Sequence, residues 1–402
     1  MHISQKPTPR SSYFLNGADS APVHPSRFQE AAEIDRNGDG MLSRDELVAH
    51  LHEDGGCCGP RPGRQMDEEA LLGELQLHLA KLPNPIAKGY HSYAQVSEEM
   101  DKLTEQYPEL ATKVSLGKSS EGRDIWALRL SNGPEEKTGV VITGCHHARE
   151  WMSVEIPLHV AKTVLEGDRS RLDKGEIWIV PVVNPDGYEY SRDSDAWWRK
   201  NRRPVEVDQL GNPSSAIGVD LNRNYFDGVH TELYRPESDK PGITSDDWGA
   251  TSDDPTSDSY RGPSGASEPE TQAILGLELG HKNIRGVIDH HSYGDMILYP
   301  WGYTSEPSPV QDLHVEIGTK MNEAMGNKFK LQQSSGLYPS AGESDDCQSV
   351  NGMVTFTLEV GKSFQPSPTQ IPVQCERVGK ANLVFIDEIL RRAEEGTLPE
   401  RV

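Results

Sequence analysis

No stretch of the chain approaches eighteen consecutive apolar residues, the length a helix needs to cross a bilayer, so a helical membrane span is excluded. The opening MHISQKPTPRSSYF also lacks the apolar run of an export signal, which favours a cytoplasmic location, with secretion as the alternative. Basic residues are outnumbered: 40 Lys plus Arg stand against 63 Asp plus Glu, a formal charge of -23. Such a chain repels phosphate backbones and anionic lipid and attracts cations, which argues against nucleic acid and membranes as partners. Cysteine is sparse. Five in 402 residues, two of them adjacent at Cys57 and Cys58, do not make a disulfide framework, and the odd number leaves at least one outside any intramolecular pair.

The length accommodates one large domain and one smaller one. Residues 1–88 are built of short apolar stretches between charged and Gly/Pro-rich segments such as EDGGCCGPRPGRQ. Within them lies DRNGDGMLSRDE, residues 35–46, in which Asp35, Asn37, Asp39, Ser43 and Glu46 take loop positions 1, 3, 5, 9 and 12 of a calcium-binding hand. Gly40 sits where that loop turns sharply, and the Met41 carbonyl supplies position 7. SRFQEAAEI and RDELVAHL are the expected flanking helices, so this part reads as a small helical EF-hand segment holding one Ca2+. EEALLGELQLHLAKL then puts Leu71, Leu75 and Leu79 on one helical face, and LPNPIAKG ends it, placing a boundary near residue 88.

Residues 89–402 change to short β-branched runs, GVVITG, EIWIVPVV, RGVID and MVTFTL, alternating with helical periodicity such as Val154 to Val164. That pattern predicts an α/β domain with a mixed, mainly parallel central sheet flanked by helices. Ligands of such sheets bind at loops following the carboxyl ends of strands, and chemistry-bearing residues cluster there. In GCHHAREWMSVE, His147 and Glu150 are three apart, which suits one zinc ion; a third ligand is offered by His290 or His291 in GVIDHHSYG. His146 and His290 leave the choice within each adjacent pair open. Two imidazoles and one carboxylate leave a fourth position for water, the catalytic arrangement of zinc. Glu359 closes MVTFTLE at another strand end, where a carboxylate can act as general base. The guanidiniums of WWRKNRR and GVDLNRNY suit a substrate carboxylate or a developing oxyanion.

Through HAREW, IVPVVNPDGYEYS, WWRKNRR, GVDLNRNY, YRGPSGASEPET, IDHHSYGDMILYPWG and FTLE, from about Tyr90 to about Glu394, the chain resembles the zinc carboxypeptidases of the carboxypeptidase A and B kind. The resemblance implies that His147, Glu150 and His291 are the zinc ligands, with Asp220 orienting a ligand histidine. It further implies Arg199 as carbonyl polariser, Glu359 as general base, Asn222 and Arg223 as the clamp on the substrate's terminal carboxylate, Arg149 as a supporting arginine, and Tyr338 as the residue closing over the bound end. The implied substrates are peptide or protein C-termini.

In SAGESDDCQS, Asp345 matches the position at the base of the side-chain pocket where family members that cut C-terminal Lys or Arg carry aspartate. Glu343 adds a second carboxylate, so basic ends are the expected specificity, and apolar or mixed ends the alternative if Asp345 is bridged internally or turned to solvent. Ile217 and Thr256 stand where secreted relatives often pair two cysteines, Cys347 replaces an aromatic residue, and Gly361 replaces a charged one. The acidic run Ser245 to Ser259 reads as a solvated insertion, with a second calcium site as the alternative. Competing readings are an amidase on modified or cell-wall peptides, which needs no carboxylate clamp, and a calcium-dependent interaction protein with an inactive peptidase fold, which predicts a missing ligand or base.

Overall fold

The computed structural model describes residues 85–206, 214–234 and 250–402, together with Phe14–Leu15, Ile34, Met41–Leu42 and Glu46–Leu47. Asp35, Asn37, Asp39 and Ser43 of the expected calcium loop, and the helix expected over EEALLGELQLHLAKL, lie outside the described residues. Eight strands form one sheet: β1 (Ala111–Lys118), β2 (Asp124–Leu130), β3 (Thr138–Gly144), β4 (Gly175–Val180), β5 (Ile284–His291), β6 (Met296–Tyr299), β7 (Lys330–Gln333) and β8 (Val354–Glu359). Their spatial order is β1-β2-β4-β3-β5-β8-β6-β7. The central four strands are parallel, and the antiparallel pairings β1/β2, β2/β4 and β8/β6 flank them. This is the mixed, mainly parallel sheet expected from the sequence.

Burial explains the sequence pattern. Every residue of β4 and β8 is buried, because helices cover both faces, and such strands read as continuous apolar runs rather than alternating ones. On one face pack α1 (Tyr93–Gln106), α2 (Met152–Glu166), α6 (Gln311–Ala324) and α8 (Ile371–Glu395), supplying Leu103, Ile156, Val160, Ile317, Phe385 and Ile389 to the larger core; α3 (Ser170–Lys174) and α4 (Pro185–Asp193) are short connectors. The second core, with Ile274 and Leu277 of α5 (Pro269–Gly280), Leu221 and Tyr225, covers the other face. The short α7 (Ser344–Val350) leads into β8 and sends Cys347 into this second core. Local signals start and stop the helices. Ser92 and Gln95 form a reciprocal capping box at α1, and Gly396, at φ 66°, ends α8 in the left-handed conformation that glycine tolerates best.

The parallel register places the functional residues. Gly144 of β3 stands opposite His290 of β5, and Glu359 of β8 opposite His291, so three adjacent strands end together at their carboxyl edge. The turn after β3 is held against the start of α2. A Cβ on Gly144 would lie 2.1 Å from the Ser153 carbonyl oxygen, a carbonyl that Pro157, lacking an N–H, cannot satisfy from within the helix. Glycine therefore permits the close strand-to-helix approach that delivers the HARE segment. Gly144→Ala is expected to destabilise the protein by about 2 kcal/mol, within the overpacking range. The measurement is a lowered denaturant midpoint at unchanged slope; an unaltered midpoint means that strand and helix part at no cost.

Candidate metal centre and substrate cleft

Cys145, at φ 60°, turns the chain sharply after β3, and its N–H is held by the Ser153 hydroxyl at 3.0 Å. A non-glycine residue in this region is strained, and such strain clusters at functional sites. The turn presents His147 and Glu150 to His291 of β5. The His147 Nδ1 lies 2.9 Å from Glu150 Oε1, the His291 Nδ1 lies 2.9 Å from Glu150 Oε2, and the two Nδ1 atoms are 3.0 Å apart. All three side chains are buried.

Tautomers decide what this arrangement is for. His147 Nε2 faces Asp220 Oδ1 at 3.1 Å, and His291 Nε2 faces Asp289 Oδ2 at 2.9 Å. Each carboxylate takes an Nε2–H, which leaves a lone pair on each Nδ1. Two lone pairs and a carboxylate pointed at one another repel unless a cation stands between them. This donor set fits zinc, which takes imidazole nitrogen and carboxylate oxygen, and the partner carboxylates raise the basicity of the rings. Burial by itself raises both carboxyls, but Arg199 and His147 outweigh it at Asp220, and His146 and His291 outweigh it at Asp289, holding both well below the usual carboxylate range.

Strand alternation answers the question the paired histidines left open. Asp289 and His291 share one face of β5, whereas His290 points to the other, where its ring contacts the Thr143 carbonyl and Asn382. His146 is not idle. Its Nδ1 meets Asp289 at 2.9 to 3.0 Å and its Nε2 the Tyr225 hydroxyl at 2.6 Å. His146, Asp289 and His291 are also close enough to hold an ion, but there every contact is a donor matched to an acceptor, so that group is complete without a cation. Asp289, which also accepts from Thr143 at 2.8 Å and Ser344 at 3.2 Å, escaped sequence reasoning. Its signal was available: it stands two residues before His291, on the same strand face.

The cleft beside these ligands brings together Asn222, Arg223, Tyr338, Glu343, Asp345 and Glu359 with His147 and His291. Arg199 grips Asp220 Oδ2 through Nε at 2.9 Å and Nη2 at 2.8 Å, leaving Nη1 on the Glu150 side at 4.0 Å. Asn222 accepts from Ser344 N at 2.8 Å through its amide oxygen, and its Nδ2 lies 3.4 Å from His291 Nε2. Asp345, 2 % exposed, accepts from Ser334 Oγ at 2.9 Å and Asp346 N at 2.9 Å; it has no cation partner among the described residues. Asp346 turns away to the Gly302 and Tyr303 N–H groups. Glu343 lines the cleft, but its Oε1 accepts from Arg223 Nη1 at 3.2 Å and is not directed solely at the side-chain pocket. Arg149 does not line the cleft: it is buried over the Phe364 ring at 4.4 Å and bonds the Trp197 carbonyl and Asp258. The described part of the acidic insertion is internally engaged, Asp253 by Arg261 and Asp254 by Thr256.

Residues 96–380 match the family model described as zinc carboxypeptidase. The chain is 30% identical over 318 residues to carboxypeptidase A1 of Rattus norvegicus, covering 75% of this chain and 70% of that protein. It is 31% identical over 281 residues to carboxypeptidase B of Astacus astacus, covering 67% and 85%. Among solved structures it is similar to bovine thrombin-activatable fibrinolysis inhibitor in complex with tick carboxypeptidase inhibitor, with a TM-score of 0.65, 26% identity and coverage of 76% of this chain and 99% of that one. The carboxypeptidase A from Helicoverpa armigera gives a TM-score of 0.65, 26% identity and coverage of 81% and 80%.

Asp289→Asn is expected to weaken zinc binding by about 10- to 100-fold, the usual effect of removing a carboxylate behind a ligand histidine. Chelator competition measures this directly, with His290→Gln as the control that leaves affinity near wild type. Equal losses in both variants would mean that packing of β5, not the Asp289 hydrogen bond, sets the affinity.

Proposed function

Since the chain belongs to the zinc carboxypeptidase family and is a metallocarboxypeptidase, we propose that it releases the C-terminal residue of peptides with a preference for lysine and arginine. The observation that carries the preference is Asp345, buried at the wall of the cleft and bonded to a hydroxyl and an amide rather than to a cation. An apolar side chain docked there leaves a buried charge unpaired, whereas an ammonium or guanidinium pairs it. The clamp residues Asn222 and Arg223 favour a free terminal carboxylate over the amidase reading. The inactive-fold reading predicts a missing ligand or base, and His147, Glu150, His291, Arg199 and Glu359 are all present in the chain.

In this reading His147, Glu150 and His291 would hold a zinc ion, which when bound would supply Lewis acidity for the scissile carbonyl and the attacking water. Glu359 takes a proton from the attacking water and returns it to the departing amine. Arg199, oriented by Asp220, faces the carbonyl oxygen as negative charge develops on it. Asn222 and Arg223 fix the terminal carboxylate, and Tyr338 covers the bound residue and excludes water.

For the N-terminal part the proposal is one calcium ion in residues 35–46, with ligands from Asp35, Asn37, Asp39, Met41, Ser43 and Glu46. The twelve-residue pattern supports it, as do helical Ile34 before the loop, extended Met41–Leu42 within it, and buried helical Glu46 and Leu47 at its end. Calorimetric titration with Ca2+ tests it: one site lost on Asp35→Ala supports the loop, and no heat from the wild-type protein refutes it.

The activity is tested on blocked dipeptides ending in Arg, Lys, Phe, Leu and amidated Arg. Arg and Lys ends are expected to give the highest kcat/KM and the amide none; faster Phe or Leu cleavage would sink the specificity. Asp345→Asn is expected to lower the Arg-to-Phe ratio by about 10²-fold, equivalent to about 3 kcal/mol. Glu359→Gln should lower kcat by about 10²- to 10⁴-fold with zinc content unchanged. Burial, then the nearby Glu343 and Asp289 charges, push the Asp345 carboxyl up to about 7. Below that pH the group is neutral and cannot pair a cation, so the Arg-to-Phe ratio should rise as pH passes upward through about 7; a flat ratio would remove Asp345 from the selection.

A further inference from the structure

Among the described residues that line the cleft, Arg223 is the one guanidinium, against three carboxylates, Glu343, Asp345 and Glu359. Two main-chain carbonyls hold it in place: Nε donates to Ala250 O at 2.5 Å and Nη1 to Asn222 O at 2.5 Å. The second Nη1 hydrogen goes to Glu343 Oε1 at 3.2 Å, the one charged partner of this arginine among the described residues. A substrate carboxylate that engages the guanidinium as a fork needs that Nη1 hydrogen. Glu343 therefore occupies part of the place a terminal carboxylate must take. Gly342, at φ +77°, packs so closely that a Cβ there would lie 2.2 Å from the Arg223 carbonyl oxygen, which keeps the backbone before Glu343 against Arg223. The exchange has to be made by the Glu343 side chain, which the Ser340 hydroxyl also steadies.

Resting on the carboxypeptidase reading above, we propose that Glu343 selects substrate by exchanging partners: the substrate's terminal carboxylate displaces it from Arg223, and a basic C-terminal side chain takes it up. Charge counting makes the exchange selective. An apolar end brings a fourth carboxylate into the cleft and no cation, so the displaced Glu343 is left unpaired in a largely buried setting. A lysine or arginine end brings both charges, so Glu343 exchanges the Arg223 guanidinium for the substrate's own cation. Selection thus works as much by penalising apolar ends as by attracting basic ones. Asp345 is held separately, by the Ser334 and Thr357 hydroxyls and the Asp346 N–H, although the Glu343 charge also bears on it.

The test is Glu343→Gln and Glu343→Ala in the zinc-loaded full chain, with KM and kcat measured separately on blocked dipeptides ending in Arg and in Phe. Removing the competing charge should lower KM for the Phe end and raise KM for the Arg end, each by about 10-fold, the scale of one charged hydrogen bond. Opposite shifts at matched zinc content and matched thermal midpoint support the exchange. Shifts in the same direction for both ends, or none, overturn it while leaving the carboxypeptidase reading intact. If the wild-type holoenzyme cuts neither peptide, that reading falls and the exchange falls with it.

Discussion

Three buried groups, the Nδ1 atoms of His147 and His291 and the Glu150 carboxylate, meet within 3.0 Å of one another, a donor set that a zinc ion between them would satisfy. Much of the surrounding structure serves to keep those lone pairs facing inward. Asp220 and Asp289 each take the opposite hydrogen of one ring, and each is itself anchored, Asp220 by Arg199 and Asp289 by His146, Thr143 and Ser344. The zinc chemistry of the family therefore sits on two carboxylate-histidine supports, and the one behind His291 extends through His146 to Tyr225. The sheet makes this possible by ending β3, β5 and β8 at one edge, so that strand register does most of the positioning.

The cleft is organised by charge balance as much as by shape. A chain with formal charge -23 places one guanidinium among three carboxylates in the cleft beside the candidate metal ligands. Each of these groups has a different restraint. Asp345 is held by a hydroxyl and an amide, Arg223 by main-chain carbonyls, and Glu343 by Arg223 itself. In the proposed exchange, stability and selectivity pull on the same atoms, because the contact that satisfies Arg223 in the free protein is the one substrate would replace.

Particular residues show how far the sequence could be read. The central strands were legible because a parallel sheet covered on both faces demands uninterrupted β-branched runs, as in VVIT and VTFTL. His147 and Glu150 were legible as a pair because their spacing is local. Asp289 was passed over although it stands two positions from His291, since strand alternation says that the two share a face but not that the face looks into the site. Arg149 illustrates the converse: its motif placed it near the ligands, yet stacking on Phe364, which is distant in sequence, draws it out of the cleft.

The amino-acid sequence by itself determined the α/β class, the strand ends that carry chemistry and the identity of the zinc-binding residue types, because these follow from short-range periodicity and spacing. Tertiary structure decided which histidine of each pair joins Glu150, which carboxylates stand behind those rings, and that Glu343 accepts a hydrogen bond from Arg223, 120 residues away. Those outcomes depend on which strands are neighbours and which helix covers each face. Such pairings are made by burial and register across the whole chain, and no local pattern records them.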